Sequence, residues 1–228
     1  MMTVQLAVYG GAFNPPHAGH VQVMASLLSQ AAHVLVVPSY AHPFGKQMVD
    51  FDVRVQWLEK IAGDFKEPRL VVDTCERELF EHKSPIFSID LLRFIARRAR
   101  LDTKDVALVM GVDNQKVFRT FYRYQEIMDE FSVITLPETI SVHSTMIRDA
   151  LRAGRDIPRN WLAPGPARGG LPRLRRYWAD FIDRSTTEEC IGERRAKKRH
   201  PVRRCRNTSI QPRTRSGTDT GSQASQSG

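Results

Sequence analysis

Five short runs rich in Val, Ile and Leu punctuate the first 137 residues: "VQLAVYG" (4 to 10), "HVLVVPS" (33 to 39), "RLVVDTC" (69 to 75), "DVALVMG" (105 to 111) and "FSVITLP" (131 to 137). Between them lie stretches of helical spacing. His20 to Ala31 follows a proline-rich entry. Asp52 to Phe65 sets Val55, Leu58, Ala62 and Phe65 on one face, and Ser88 to Arg100 does the same with Leu91, Leu92, Ile95 and Ala99. Alternating strand and helix imply right-handed crossovers. The expected fold is therefore α/β, an open sheet of about five parallel strands with helices on both faces. In such sheets ligands bind beyond the carboxyl ends of the strands. Here those loops hold Gly10-Gly11, Pro38 to Lys46, Gly111 to Asn114 and Pro137 to Ser144.

Charge separates two parts of the 228-residue chain. Residues 1 to 164 hold 19 Lys/Arg and 19 Asp/Glu, so the formal net charge of +9 belongs entirely to residues 165 to 228. Composition changes abruptly at Gly165, as either a genuine extension or a shifted reading frame would produce. Leu171 to Ile182 could form a helix presenting Leu174, Tyr177, Trp178 and Phe181. Beyond it, a basic stretch ending in Gly, Ser, Thr and Gln is expected to be disordered. The expected organisation is one domain over 1 to 184 and a basic low-complexity tail over 185 to 228. Cys75, Cys190 and Cys205 are too few and too scattered for a disulfide framework, and no apolar run approaches the ~20 residues of a membrane span. A cytoplasmic protein with no membrane partner is expected.

The stretch "AVYGGAFNPPHAGHVQVM" (7 to 24) runs from strand into helix. Gly10 and Gly11 are expected to let the backbone turn sharply and approach a ligand. Pro15-Pro16 imposes an extended entry that brings His17 and His20 to the first helical turn. Free N–H groups and the macrodipole make that end attractive to anions, and imidazoles there can donate to phosphate oxygens. A lone His-x-x-His is more often a pair of half-buried polar residues. A metal site is not expected, since no Cys, Asp or Glu lies close in sequence to complete a ligand set. In "VHSTMIR", Ser144 or Thr145 can cap a helix whose first turn carries Arg148, so hydroxyl, N–H groups and guanidinium could converge on a second phosphate position. As an exposed helical arginine, Arg148 should be replaceable at little cost in stability. The plainer alternative is a capped surface helix.

The string "GGAFNPPHAGH" resembles the signature of the nucleotidyltransferase superfamily, Gly-Gly-x-Phe-(Asp/Asn)-Pro-x-His-x-Gly-His. "VMGVDNQKVF" resembles its Gly-x-Asp loop, and "SVHSTMIRDAL" its Ser-(Ser/Thr)-x-x-Arg motif. Together these span residues 4 to about 164, and within the superfamily the likeness is greatest to the nicotinate mononucleotide adenylyltransferases of bacterial NAD synthesis. The resemblance implies a Rossmann-like fold and transfer of AMP from ATP, with Mg2+, to nicotinate mononucleotide, giving deamido-NAD and pyrophosphate. It implies catalytic roles for His17, His20, Lys46 and Arg148. Gly10, Gly11, Phe13, Gly111, Asp113, Ser144 and Thr145 would contact ATP and its phosphates.

For the acceptor it implies Phe87, Ser88, Phe121 and Tyr122. Here "IFSIDLL" stands where relatives read Ser-Tyr-Thr-x-Asp-Thr-Leu, and Phe121 stands near the position of a pyridine-stacking Trp. A sister enzyme taking nicotinamide mononucleotide or phosphopantetheine would use the same phosphate machinery. The basic segment "RRAKKRHPVRRCR" suggests nonspecific polyanion binding, but it lacks interleaved aromatics and the rest of the chain is neutral, so no specific nucleic-acid partner is expected. The expected partners are ATP and a mononucleotide. An oligomer is compatible with this reading.

Overall fold

The computed structural model describes residues 4–42, 44–137 and 139–163. The expected helix over 171 to 182, the domain boundary at 184 and the tail lie outside them. Five strands form one all-parallel sheet in the order β3-β2-β1-β4-β5: β1 Val4–Gly11, β2 Ala31–Pro38, β3 Leu70–Val72, β4 Val106–Gly111 and β5 Ser132–Leu136. Seven α-helices are present among the described residues: α1 Ala18–Leu27, α2 Phe51–Phe65, α3 Cys75–His82, α4 Ser88–Ala99, α5 Val112–Val117, α6 Tyr124–Glu130 and α7 Ser144–Arg152. The architecture is α/β and Rossmann-like.

Residues along each strand alternate between two core layers. Ala7 and Tyr9 join Val34, Val36 and Val109 under Met24 and Leu27 of α1 and Leu58 and Ile61 of α2. Leu6, Val8 and Leu108 face the other way, against Leu79 of α3, Leu92 and Ile95 of α4 and Ile127 of α6. A third cluster joins α7 to α2 through Ile147, Ala150, Val49, Trp57 and Leu162. None of the described helices is long and apolar enough to cross a membrane.

Local chemistry explains where the element limits depart from the sequence reading. Helix α1 starts two residues before His20 because His17, in extended conformation, is its N-cap. It stops at Leu27, where Ser29 Oγ and Gln30 Nε2 donate to the Ser26 carbonyl in the last turn. The run 69 to 75 is half strand and half helix entry: the Asp73 carboxylate accepts from the Cys75 N–H and opens α3, which the apolar pattern did not reveal. Asp50 caps α2 by accepting from the N–H groups of Asp52 and Val53.

The sheet order reverses between β1 and β4. Their carboxyl ends therefore open a crevice, and the loop from β1 to α1 and the α5 segment after β4 border it. The two-layer packing makes a simple prediction. Leu92→Ala, at a fully buried position, should cost about 2 to 5 kcal/mol in chemical unfolding. Val71→Ala, on the exposed side of the edge strand, should cost less than about 1 kcal/mol. Similar losses for both would contradict the packing described.

Candidate active site

At the crevice two cavities meet across the end of β1. The smaller, roughly 390 Å³, is bordered by Phe13, His17, His20, Asp113, His143 and Ser144. The larger, roughly 670 Å³, is bordered by Phe87, Ser88, Phe121 and Tyr122. Gly10, Gly11, Val109, Met110 and Asn114 line both. The two glycines are the last residues of β1, and the sharp turn expected of them falls instead at Phe13, whose φ is 45°. What they contribute is a bare main-chain wall between the cavities.

The turn from Ala12 to Pro16 is held from outside. Arg54 of α2, 1% exposed, donates from Nη1 to the Ala12 carbonyl (2.8 Å) and from Nε to the Val49 carbonyl (2.7 Å). Asn14 Oδ1 accepts from the Val49 N–H at 3.1 Å. From α7, Arg148 Nη1 donates to the Asn14 carbonyl (2.8 Å), and Ser144 Oγ donates to that of Pro15 (2.9 Å). Arg148 Nη2 also donates to Thr145 Oγ1 at 2.7 Å.

Neither Ser144 nor Thr145 is the cap of α7, because His143 occupies that position. Arg148 is 7% exposed, so the expectation of a replaceable surface arginine fails. Burial lowers its pKa, as does Arg152, while Asp149 acts in the opposite direction.

His17 and His20 stack with ring centroids 3.6 Å apart, and Phe13 meets the His20 ring edge-on at 4.9 Å. Gly19 permits this, since a Cβ there would stand 3.1 Å from His17 Nδ1. His20 Nδ1 accepts from the His17 backbone N–H at 3.0 Å, so a neutral His20 carries its proton on Nε2. Burial is the main cause that pushes the His17 pKa down to about 4, with His143 adding to it. Burial followed by the fields of His17 and His143 holds His20 well below 6.5. Both rings are neutral near pH 7. They act as directed hydrogen-bonding groups rather than fixed charges. His17 Nδ1 and Asn14 Nδ2 are buried without a hydrogen-bond partner.

Of the expected site residues, Lys46, Thr145 and Arg148 border neither cavity. Lys46 is exposed on the loop before α2, and slight burial and the field of Arg148 lower its pKa. Asp113 lies on α5 with its carboxylate on Lys116 Nζ at 2.7 Å, a bond that lowers its pKa. Gly111 caps α5 and borders the smaller cavity.

In the larger cavity Ser88 is the first residue of α4, after the capping residue Phe87, and Asp90 Oδ2 accepts from the Phe87 N–H. Phe121 packs edge-on to Phe118 at 5.4 Å and is partly buried. Tyr122 is 50% exposed and lies 4.5 Å from the Phe87 ring. Phe87 and Tyr122 thus pack on each other in the cavity lining, while Phe121 packs against Phe118. Sequence reasoning missed His143, Asn114, Gly19, Arg54 and Glu76. The first three adjoin or interrupt motifs that were singled out, whereas no pattern marked Arg54 or Glu76.

Two outcomes follow from this geometry. Arg148→Ala strips a buried carbonyl of its donor and should lower unfolding stability by about 1 to 3 kcal/mol. Arg148→Lys, able to reach only one of the two acceptors, should fall between that variant and the unaltered protein. Equal midpoints for all three would refute the bracing role. The histidines also tie stability to acidity. Between pH 6.5 and about 4 the unfolded chain binds protons that folded His17 refuses, so stability should be complete above 6.5 and fall as pH drops, by up to ~1.4 kcal/mol per pH unit for each such histidine. Urea unfolding of His17→Gln should show a shallower acid slope, and an unchanged slope would exclude His17 as the titrating group.

The profile of the Cytidylyltransferase-like family matches residues 8–150. A protein of Anaeromyxobacter dehalogenans (strain 2CP-C), provisionally named nicotinate-nucleotide adenylyltransferase, is 25% identical over 166 residues, which cover 67% of this chain and 87% of the relative. One from a Nitratiruptor species, with the same provisional name, is 26% identical over 127 residues, or 54% and 68%. Among solved structures, a protein of Vibrio parahaemolyticus, again provisionally described as nicotinate-nucleotide adenylyltransferase, shares 30% identity with a TM-score of 0.59, covering 71% of this chain and 94% of its own. The nicotinic acid mononucleotide adenylyltransferase of Plasmodium falciparum, solved with NaAD, has the same fold at 15% identity and TM-score 0.56, covering 71% of this chain and 91% of its own. From the glycine-rich end of β1 to the first turns of α7, the chain belongs to the Cytidylyltransferase-like family of the nucleotidyltransferase superfamily.

Proposed function

We propose that this protein transfers the adenylyl group of ATP to nicotinate mononucleotide, releasing pyrophosphate and forming deamido-NAD. The observation that carries this reading is the pair of cavities sharing the Gly10-Gly11 wall. One is ringed by imidazoles and two helix starts, and the other is walled by aromatic rings. The names of the relatives support the same acceptor.

In this reaction a phosphate oxygen of the mononucleotide forms a bond to the α-phosphorus of ATP. The bond from that phosphorus to the bridging oxygen breaks, and the electron pair leaves with pyrophosphate. The attacking phosphate has a second pKa near 6 and is largely ionised at neutral pH, so no general base is required. Catalysis is a matter of placing two anions and meeting the charge that grows on the leaving group. In this reading His20 Nε2–H and His17 donate to the triphosphate, aided by the N-terminal N–H groups of α1 and α7. Lys46 would bring a positive charge from the exposed loop before α2, and Arg148 fixes the turn that carries the histidines.

ATP enters as its Mg2+ complex, the cation serving as part of the substrate. Asp113 and Asn114 sit where a ribose hydroxyl can be bound. Ser88 and the start of α4 suit the nicotinate carboxylate, which a helix dipole favours over a neutral carboxamide. These substrates are soluble nucleotides, and the reaction is assigned to the cytoplasm.

The test is incubation with ATP, Mg2+ and, in turn, nicotinate mononucleotide, nicotinamide mononucleotide or phosphopantetheine, with identification of the product. Deamido-NAD should dominate, and His20→Ala should lower its turnover by about 10² to 10³ with a smaller effect on substrate binding. Exclusive use of phosphopantetheine would replace the acceptor, and no pyrophosphate release with any of the three would end the enzyme reading.

A further inference from the structure

The mechanism above leaves one buried acid without a task. Glu76, the second residue of α3, is 6% exposed, and it borders the larger cavity beside Ser39 and Ala41. Its Oε2 accepts from the Tyr40 N–H at 2.8 Å. No hydrogen bond to its other oxygen is seen among the described residues, and the side chain is part of the cavity lining. Burial raises its pKa to about 7, opposed by the Tyr40 N–H and by the field of Arg54. Arg54 acts only through that field, because its donors are directed to the Ala12 and Val49 carbonyls.

An acid in the first helical turn can simply complement the dipole, but Glu78 already does so at the surface of α3. A carboxylate set into a mainly apolar cavity has a cost that fold stability does not explain. It becomes useful if the ligand brings positive charge.

We propose that Glu76 is the counter-charge for a cationic aromatic ring held in the larger cavity, whose lining also carries the aromatic side chains of Phe87 and Tyr122. This rests on the acceptor proposed above, a pyridine mononucleotide, whose glycosylated ring nitrogen is a permanent cation with no proton to give up. Carboxylate and aromatic faces attract such a ring together, and in a site poor in water that attraction is strong. The same carboxylate repels the acid group of nicotinate. The ring is thereby oriented with its own carboxylate away from Glu76 and toward the start of α4, which favours negative charge. A neutral, flexible acceptor such as phosphopantetheine gains nothing from this arrangement. Glu76 is in this sense a determinant of acceptor class.

The test compares two probes by calorimetric titration. One is nicotinate mononucleotide. The other is its uncharged analogue, in which carbon replaces the glycosylated nitrogen. Glu76→Gln keeps an oxygen for the Tyr40 N–H and removes the charge. It should weaken the cationic probe by about tenfold and leave the neutral probe and ATP within about twofold. Should that variant fold poorly, the unaltered protein still decides, since it must prefer the cationic probe by about tenfold. Equal losses on both probes, no loss on either, or no preference in the unaltered protein would overturn the role of Glu76 while leaving the proposed reaction intact. Failure of the unaltered protein to bind either probe would overturn the proposed acceptor as well.

Discussion

Two buried guanidinium groups hold the turn that joins β1 to α1, and the candidate site takes its shape from that hold. Pro15 and Pro16 have no N–H to give, and Phe13 adopts a left-handed conformation, so the turn cannot satisfy its outward carbonyls by itself. Arg54 reaches Ala12 from one side, and Arg148 reaches Asn14 from the other. Because the two arginines come from α2 and α7, the turn is tied to helices far from it in sequence. With the turn fixed, His17 caps α1, His20 stacks against it, and both rings face one cavity.

In the proposed reaction that cavity would receive the triphosphate without concentrating positive charge within itself. Two imidazolium rings 3.6 Å apart would repel strongly in a site poor in water, and the protein avoids this by keeping both rings neutral. Positive potential comes instead from the N–H groups at two helix starts. The full positive charges of Arg148 and Lys46 stand outside it: Arg148 is buried behind the turn, and Lys46 is on an exposed loop. Preorganised dipoles of this kind can meet growing charge without rearranging, which suits a reaction limited by placement.

The sheet was readable because parallel strands buried on both faces leave apolar runs too regular to miss, and most of the lining of the smaller cavity was readable because its residues lie in three compact motifs. Other parts depend on contacts that only folding creates. Helix α3 begins where Asp73 turns from strand to cap, so its start looked like the end of a strand. The arginine at 148 read as a surface residue because its acceptors, Asn14 and Thr145, meet it only after α7 docks on the turn. Glu76 and Arg54 carry no periodic or motif signal at all, since their roles arise from what the crossover connections bring beside them. In the larger cavity, one departure from the expected sequence was legible and its packing was not: Phe121 stands near the expected position of a stacking residue but packs against Phe118, while Tyr122 packs on Phe87.

The glycine partition has a consequence for how such a protein can change over time. The cavities meet across main chain and share few side chains, so substitutions near Phe87, Glu76 or Tyr122 can reshape one without moving the histidines of the other. Under the proposed reaction, a lineage could trial new acceptors while the triphosphate side stays constant, each step being selectable on its own. Gly10 and Gly11 resist such drift, because a side chain at Gly11 would press on the Phe13 ring of the turn, 3.4 Å from its Cβ, and one at Gly10 would lie against Leu91 of the larger cavity. The least decorated positions in the crevice are thus the most constrained by inheritance, and the more elaborate aromatic wall is where diversification can proceed.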